Sequence, residues 1–301
     1  MRVLLASDGS AGAARAARWL RDFPLPQGSS ILVLTVVTPP IAMTALRAVG
    51  ESLRDVGRIT AERARRALGA RAAVAEIRVT EGDARDEILR VADEWDADLV
   101  VVGARGLGRI RGFFLGTVSQ AVARDYAGPV LVVKGGASPV RSALIGVDGS
   151  DDALEAVRFL IGLPLPDYFQ VRLIGVAEKM PFPRTAPRMI HAELEEAAGT
   201  AQEQRTAALE HALSEAEALL PRGAAGRSLA TGNPAEEIVR LAKPGSVDLI
   251  VVGARGLGVV KRLLLGSVSD AVLRAAPCSV LIVKTTDHQQ AASELVTRAW
   301  Q

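Results

Sequence analysis

One feature limits what this chain can fold into: it contains the same segment twice. Asp98–Ser119 and Asp248–Ser269 align without gaps at an offset of 150 and share 14 of 22 residues. Earlier in each copy the offset is 140, where Leu5-Ala6-Ser7-Asp8-Gly9-Ser10 matches Ile145-Gly146-Val147-Asp148-Gly149-Ser150, and Pro24-Leu25-Pro26 matches Pro164-Leu165-Pro166. Self-similarity on this scale means two copies of one folding unit, and 301 residues suit two domains of ~100–200 residues each. The change of offset places about ten extra residues of the second copy between Val176 and Gly232, within Pro181–Gly223, whose core reads as one long polar helix. A boundary near Ala137, after Gly135-Gly136, gives units 1–137 and 138–286 and a tail 287–301 too short to interpret.

Within the first copy, short β-rich runs (Val3–Ala6, Ile31–Val37, Val74–Val79, Leu99–Val102, Val130–Val133) are separated by longer segments with helical spacing. That alternation predicts βαβ units, and the unbroken Val/Ile/Leu character of the runs predicts strands covered by helices on both faces. The expected fold is α/β, with two tandem open five-stranded, mostly parallel sheets flanked by helices. Ser10, Ser150, Asp83 and Asn233 each follow a glycine and precede helical spacing, which marks them as N-caps.

Composition narrows the function classes. The 36 basic and 34 acidic residues are interspersed and leave a net charge of +2, so no nucleic-acid partner is expected. The single cysteine, Cys278, excludes an intrachain disulfide and a Cys-rich zinc site, and it reads as a small apolar packing residue. His191, His211 and His288 are scattered, with neither metal-ligand spacing nor a triad. No signal-peptide pattern opens the sequence. Runs such as Ile31–Val37 are far shorter than the ~20 residues of a membrane helix. A soluble, cytoplasmic protein without a membrane partner is expected.

The chemistry lies in glycine loops. Each copy carries Gly-x-x-Gly, nine residues, then Gly-Ser/Thr: Gly103, Gly106, Gly116 and Thr117, and Gly253, Gly256, Gly266 and Ser267. The first pair follows the fourth strand at its carboxyl end, where open parallel sheets bind ligands. Residues without a Cβ and with access to φ > 0 let backbone N–H groups approach anionic oxygens. Gly116-Thr117-Val118-Ser119 and Gly266-Ser267-Val268-Ser269 then open a helix whose N-terminus favours an anion. The loop is neither a P-loop nor a dinucleotide fingerprint, because Arg111 and Lys261 stand where the latter needs its third glycine. Tight turns serving only the fold are the alternative. Asp8 and Asp148 suit either ligand contact or turn formation. Arg105 and Arg255 suit either a bidentate phosphate contact or an orientation toward solvent or the other copy.

Asp-Gly-Ser after the first strand, the glycine pattern after the fourth, and a last strand reading Ala276-Pro277-Cys278-Ser279-Val280-Leu281-Ile282-Val283 together resemble the universal stress protein family over about residues 1–286. The resemblance implies a Rossmann-like, adenine nucleotide alpha hydrolase-like fold. It also implies ATP binding, because in that family the full glycine pattern separates members that bind ATP from those that do not. Carried over, it puts Asp8 and Asp148 on the nucleotide, the backbone of Val36 and Val176 at the adenine, and Gly103 and Gly253 near the ribose. Gly106, Gly116, Thr117 and Ser119, with Gly256, Gly266, Ser267 and Ser269, would hold the phosphates, and any Mg2+ would be held mainly by those phosphates. The copies would pair antiparallel through Val130–Lys134 and Val280–Lys284, making an intramolecular pseudo-dimer that protects an open strand edge; whether the chain dimerises again is left open. The expected function is an ATP-binding stress-response or regulatory protein with no committed catalytic residue. The alternative is a slow ATPase or nucleotide-transferring enzyme, since fast hydrolysis needs a positioned base and cation and the sequence offers at most an Asp and an Arg.

Overall fold

The computed structural model describes residues 1–39, 47–104, 115–135, 140–178, 191–221, 225–243, 247–257 and 265–285. The expected boundary at Ala137 and the tail from 287 lie outside them. The first copy runs β1 (Arg2–Ala6), α1 (Ala11–Asp22), β2 (Ser30–Val37), α2 (Arg47–Ala67), β3 (Ala75–Glu81), α3 (Ala84–Glu94), β4 (Leu99–Gly103), α4 (Thr117–Asp125) and β5 (Val130–Val133). The second runs β6 (Ser142–Gly146), α5 (Asp151–Ile161), β7 (Gln170–Ala177), α6 (His191–Ala218), β8 (Ala225–Thr231), α7 (Pro234–Leu241), β9 (Leu249–Gly253), α8 (Ser267–Ala275) and β10 (Ser279–Val283). Val74, expected to begin a strand, instead ends a short 3-10 helix over Gly69–Val74. All four expected caps accept a backbone N–H: Ser10 from Ala13, Asp83 from Arg85 and Asp86, Ser150 from Ala153 and Asn233 from Glu236.

The two five-stranded halves join through their last strands, in the antiparallel pairing the resemblance implies. They form one ten-stranded sheet in the order β3-β2-β1-β4-β5-β10-β9-β6-β7-β8. Each half is parallel, and the halves join through an antiparallel pair in which Val280, Leu281 and Ile282 face Val132, Leu131 and Val130. This join occupies the apolar edge that β5 or β10 would otherwise leave unpaired. Side chains alternate between two cores: Val3 and Leu5 pack on the α1, α2, α5 and α6 side, and Leu4 packs on the α3, α4, α7 and α8 side. On α6 the C-terminal half carries a buried stripe, Leu209, Ala212, Leu213 and Ala216, at helical spacing. Cys278 is buried, and that burial pushes its thiol up to about 11, as suits a packing residue.

The join also carries a reciprocal polar contact. Lys134 Nζ, just past β5, donates to the carbonyls of Arg274 (3.2 Å) and Ala276 (3.0 Å) at the end of α8. Lys284 Nζ, just past β10, donates to Arg124 O (2.9 Å) and Tyr126 O at the end of α4. Each copy therefore supplies the cation that satisfies the orphan carbonyls of the other copy's helix.

Lys284 is 4% exposed, and burial pulls its ammonium down from the ordinary 10.5 to about 8. Between these values the unfolded chain keeps a proton that the folded chain releases, so stability rises with pH across that window. Below pH 8 the cost of burying the charge is present in full. Relative to Lys284→Met, the native chain is expected to gain about 2 kcal/mol between pH 8 and 9.5, at 1.36 kcal/mol per unit. Denaturant melts of both proteins at the two pH values measure this, and a pH-independent gap would place the ammonium in solvent.

Candidate functional site

The first site element is the turn after the first strand of each copy. Gly9 (φ 79°) and Gly149 (φ 86°) occupy the left-handed region, which L residues with a Cβ rarely adopt. The turn brings Asp8 Oδ1 to Ser10 N (3.0 Å) and Asp148 Oδ1 to Ser150 N (3.0 Å). Ser150 Oγ lies 2.6 Å from Asp148 Oδ1 and 3.1 Å from the carbonyl of Arg255, which ties this turn to the second glycine loop. Of the two roles weighed for the aspartates, turn formation is the one seen: Asp148 Oδ1 shapes the turn, and its Oδ2 faces Gly256.

The glycines of the loop serve different ends. A Cβ at Gly253 would stand 2.6 Å from Asp152 C and 2.7 Å from Ala153 N, and one at Gly103 would stand 2.5 Å from Gly12 C and 2.8 Å from Ala13 N. Their bareness lets β4 and β9 lie against the first turns of α1 and α5. A Cβ at Gly256 would instead meet Asp148 Oδ2 at 2.4 Å. The access to φ > 0 expected of Gly106-Leu107-Gly108 lies outside the described residues; among those described, positive φ falls at turn glycines such as Gly9 and Gly149. Gly116 (φ −68°) and Gly266 (φ −73°) are helix N-caps with ordinary extended backbone. Arg105 and Gly106 lie outside the described residues.

The helix that follows is anchored in the same way in both copies. Gly116 N donates to Ala104 O and Gly266 N to Ala254 O, both at 2.7 Å. Ser119 Oγ donates to Gly103 O and Ser269 Oγ to Gly253 O, both at 2.6 Å. These buried serines therefore spend their one proton on the end of the preceding strand. Thr117 and Ser267, two residues earlier at the helix mouth, are exposed, and Val118 and Val268 are half-buried beside them.

Arg255 is paired within its own copy. Its Nε and Nη2 donate to Asp152 Oδ2 (2.9 Å) and Oδ1 (3.0 Å), and its backbone N donates to Oδ2 (3.0 Å). Thr285 adds its N (3.3 Å) and Oγ1 to Asp152 Oδ1. Burial works to raise the Asp152 pKa, but these hydrogen bonds and the Arg255 charge hold the carboxyl below its usual range.

A cavity of about 550 Å³ opens at the carboxyl end of the second half-sheet. All nine second-copy residues singled out from the sequence line it: Asp148, Val176, Gly253, Arg255, Gly256, Gly266, Ser267, Val268 and Ser269. Val176 stands two residues beyond Ile174, where pairing with β6 stops, so its backbone borders the crevice. In the first copy Val36 stands likewise two residues beyond Leu34, where pairing with β1 stops. Sequence reasoning missed the remaining wall, chiefly Glu178, Arg205 and Leu209 near and along α6 and Pro234 and Ile238 on α7. No motif marks them; the rotation of α6, fixed by its buried stripe, turns Arg205 and Leu209 inward.

The sheet places the chain in the doubly wound α/β class, whose members' ligands bind in crevices at the strands' carboxyl ends. Within that class the chain belongs to the universal stress protein family, whose sequence profile matches residues 1–134 and again 139–284. A universal stress protein of Methanocaldococcus jannaschii is 31% identical over 156 residues, covering 51% of this chain and 87% of that protein. The crystal structure of a universal stress protein from Archaeoglobus fulgidus superposes with a TM-score of 0.65 at 20% identity, covering 94% of this chain and 98% of the other, a likeness of fold. A universal stress protein solved in complex with cAMP is 28% identical, covering 50% of this chain and 100% of its own, with a TM-score of 0.34. Among the described residues no helix is long and apolar enough to cross a membrane.

Proposed function

We propose that this protein is an ATP-binding stress-response or regulatory protein of the cytoplasm, with one nucleotide site per copy. The observation that carries the reading is the convergence of the nine predicted residues on one cavity of about 550 Å³, within the ~300–1,000 Å³ of small-molecule sites. Its ends differ chemically. Val176, Leu209 and Ile238 offer an apolar slot for adenine. The mouth of α8, with Gly266 and the exposed Ser267, presents backbone N–H groups and a positive dipole end to phosphate. Asp148 accepts but cannot donate when ionised, so it suits a ribose hydroxyl rather than a phosphate oxygen. Any Mg2+ would be held mainly by the phosphates.

In the second copy binding is favoured over turnover because the Arg255 guanidinium is committed to Asp152, whereas phosphoryl transfer needs a cation on the transferring group. The antiparallel join of β5 and β10 supports reading the chain as a dimer within one polypeptide, with units meeting near residue 137. Calorimetry or native mass spectrometry of the purified protein with ATP is expected to give two molecules per chain. A value of one would mean that one copy has lost its site. A value of zero, with an inorganic anion held instead, would reduce the loops to an anion-binding scaffold and end the nucleotide reading.

A further inference from the structure

The two copies differ where the glycine loop meets the helix after the first strand. Asp152 is 2% exposed, and its carboxylate takes three N–H groups of Arg255 besides the N–H and hydroxyl of Thr285. At the equivalent positions the first copy has Gly12 and Gly135. The backbone around them is otherwise alike, since Gly103 abuts Gly12 and Ala13 just as Gly253 abuts Asp152 and Ala153. The second copy thus brings a buried negative charge against the arginine that lines its cavity, and the first copy has no carboxylate at that position.

We propose that Asp152 is a specificity-determining residue: by neutralising Arg255 at the cavity rim, it tunes the second site to nucleotides of lower phosphate charge than the first site takes. This rests on the nucleotide reading above. Two effects compete. The carboxylate orders the loop entrance, which helps every ligand that uses the loop. It also cancels one positive charge, which counts against each added phosphate. Water cannot screen a carboxylate as buried as this one, so the electrostatic effect dominates and grows with phosphate number. Asp152 touches no ligand in this scheme; it acts through the guanidinium.

The test uses the full-length chain with Gly116→Val in every arm, so that only the second site is titrated, and measures ATP and AMP by calorimetry at two salt concentrations. Asp152→Gly restores the residue that the first copy carries in the same helix turn, and Asp152→Asn keeps the side chain's volume. Both are expected to raise the ratio of ATP to AMP affinity about tenfold and to steepen the fall of ATP affinity with salt. An unchanged or lower ratio overturns the proposal, as does a loss shared equally by both ligands, which marks a merely structural residue. Absence of any nucleotide binding to the parent Gly116→Val chain, beside intact folding, would overturn the nucleotide reading itself.

Discussion

Replacing Gly253 by alanine is expected to destabilise the protein by about 3 kcal/mol, the upper range for forcing an extra methyl into a packed contact. The new Cβ would lie 2.6 Å from Asp152 C, 2.7 Å from Ala153 N and 2.8 Å from Asp152 O, all backbone atoms of the first turn of α5. No rotamer change relieves such a contact, so β9 and α5 must move apart. Gly103→Ala should act alike through Gly12 C at 2.5 Å and Gly12 O at 2.7 Å. Equilibrium denaturation with the midpoint and slope both recorded is the measurement. A midpoint equal to that of the native chain would show that strand and helix have room to spare.

Gly256→Ala, three residues further on, should do the opposite: fold normally but weaken ATP in the second copy by about 10–100-fold. Its Cβ would stand 2.4 Å from Asp148 Oδ2 and 3.7 Å from Asp148 Cγ, the end of a side chain that can swing away. A rotation of the carboxylate that keeps Oδ1 on Ser150 N, 3.0 Å away, relieves the clash and takes Oδ2 out of the cavity that Asp148 lines. Losing one hydrogen bond to a charged group costs about 1.5–3 kcal/mol, which is the stated range of affinity. Calorimetry should show one site of unchanged affinity and one much weaker, with an unaltered unfolding midpoint. Two unchanged sites would remove Asp148 from the ligand, and a lowered midpoint would assign Gly256 to the fold. Together the substitutions divide a four-residue motif into a glycine for packing and a glycine for binding.

The sequence by itself determined the duplication, the alternation of strands and helices and the four caps, because these depend on local periodicity and on side chains that bond within three residues of themselves. It also marked both ends of the site, since the Asp-Gly-Ser turn and the glycine loop are contiguous motifs. Tertiary structure alone decided how those motifs are used. The fusion of two half-sheets through β5 and β10, some 150 residues apart, was expected only through the family resemblance, because no local pattern records which edges meet. The α6 wall of the cavity depends on helix rotation, which a largely polar sequence leaves open until packing selects Leu209 and Leu213 as the buried face. The serines were legible as residues near phosphate, but the proton of Ser269 goes to Gly253 O, 16 residues earlier. Arg255 was legible as a cation at the loop, but its partner Asp152 lies 103 residues away on another element. A charge's partner is set by which elements meet in space, and one-dimensional spacing carries no record of that.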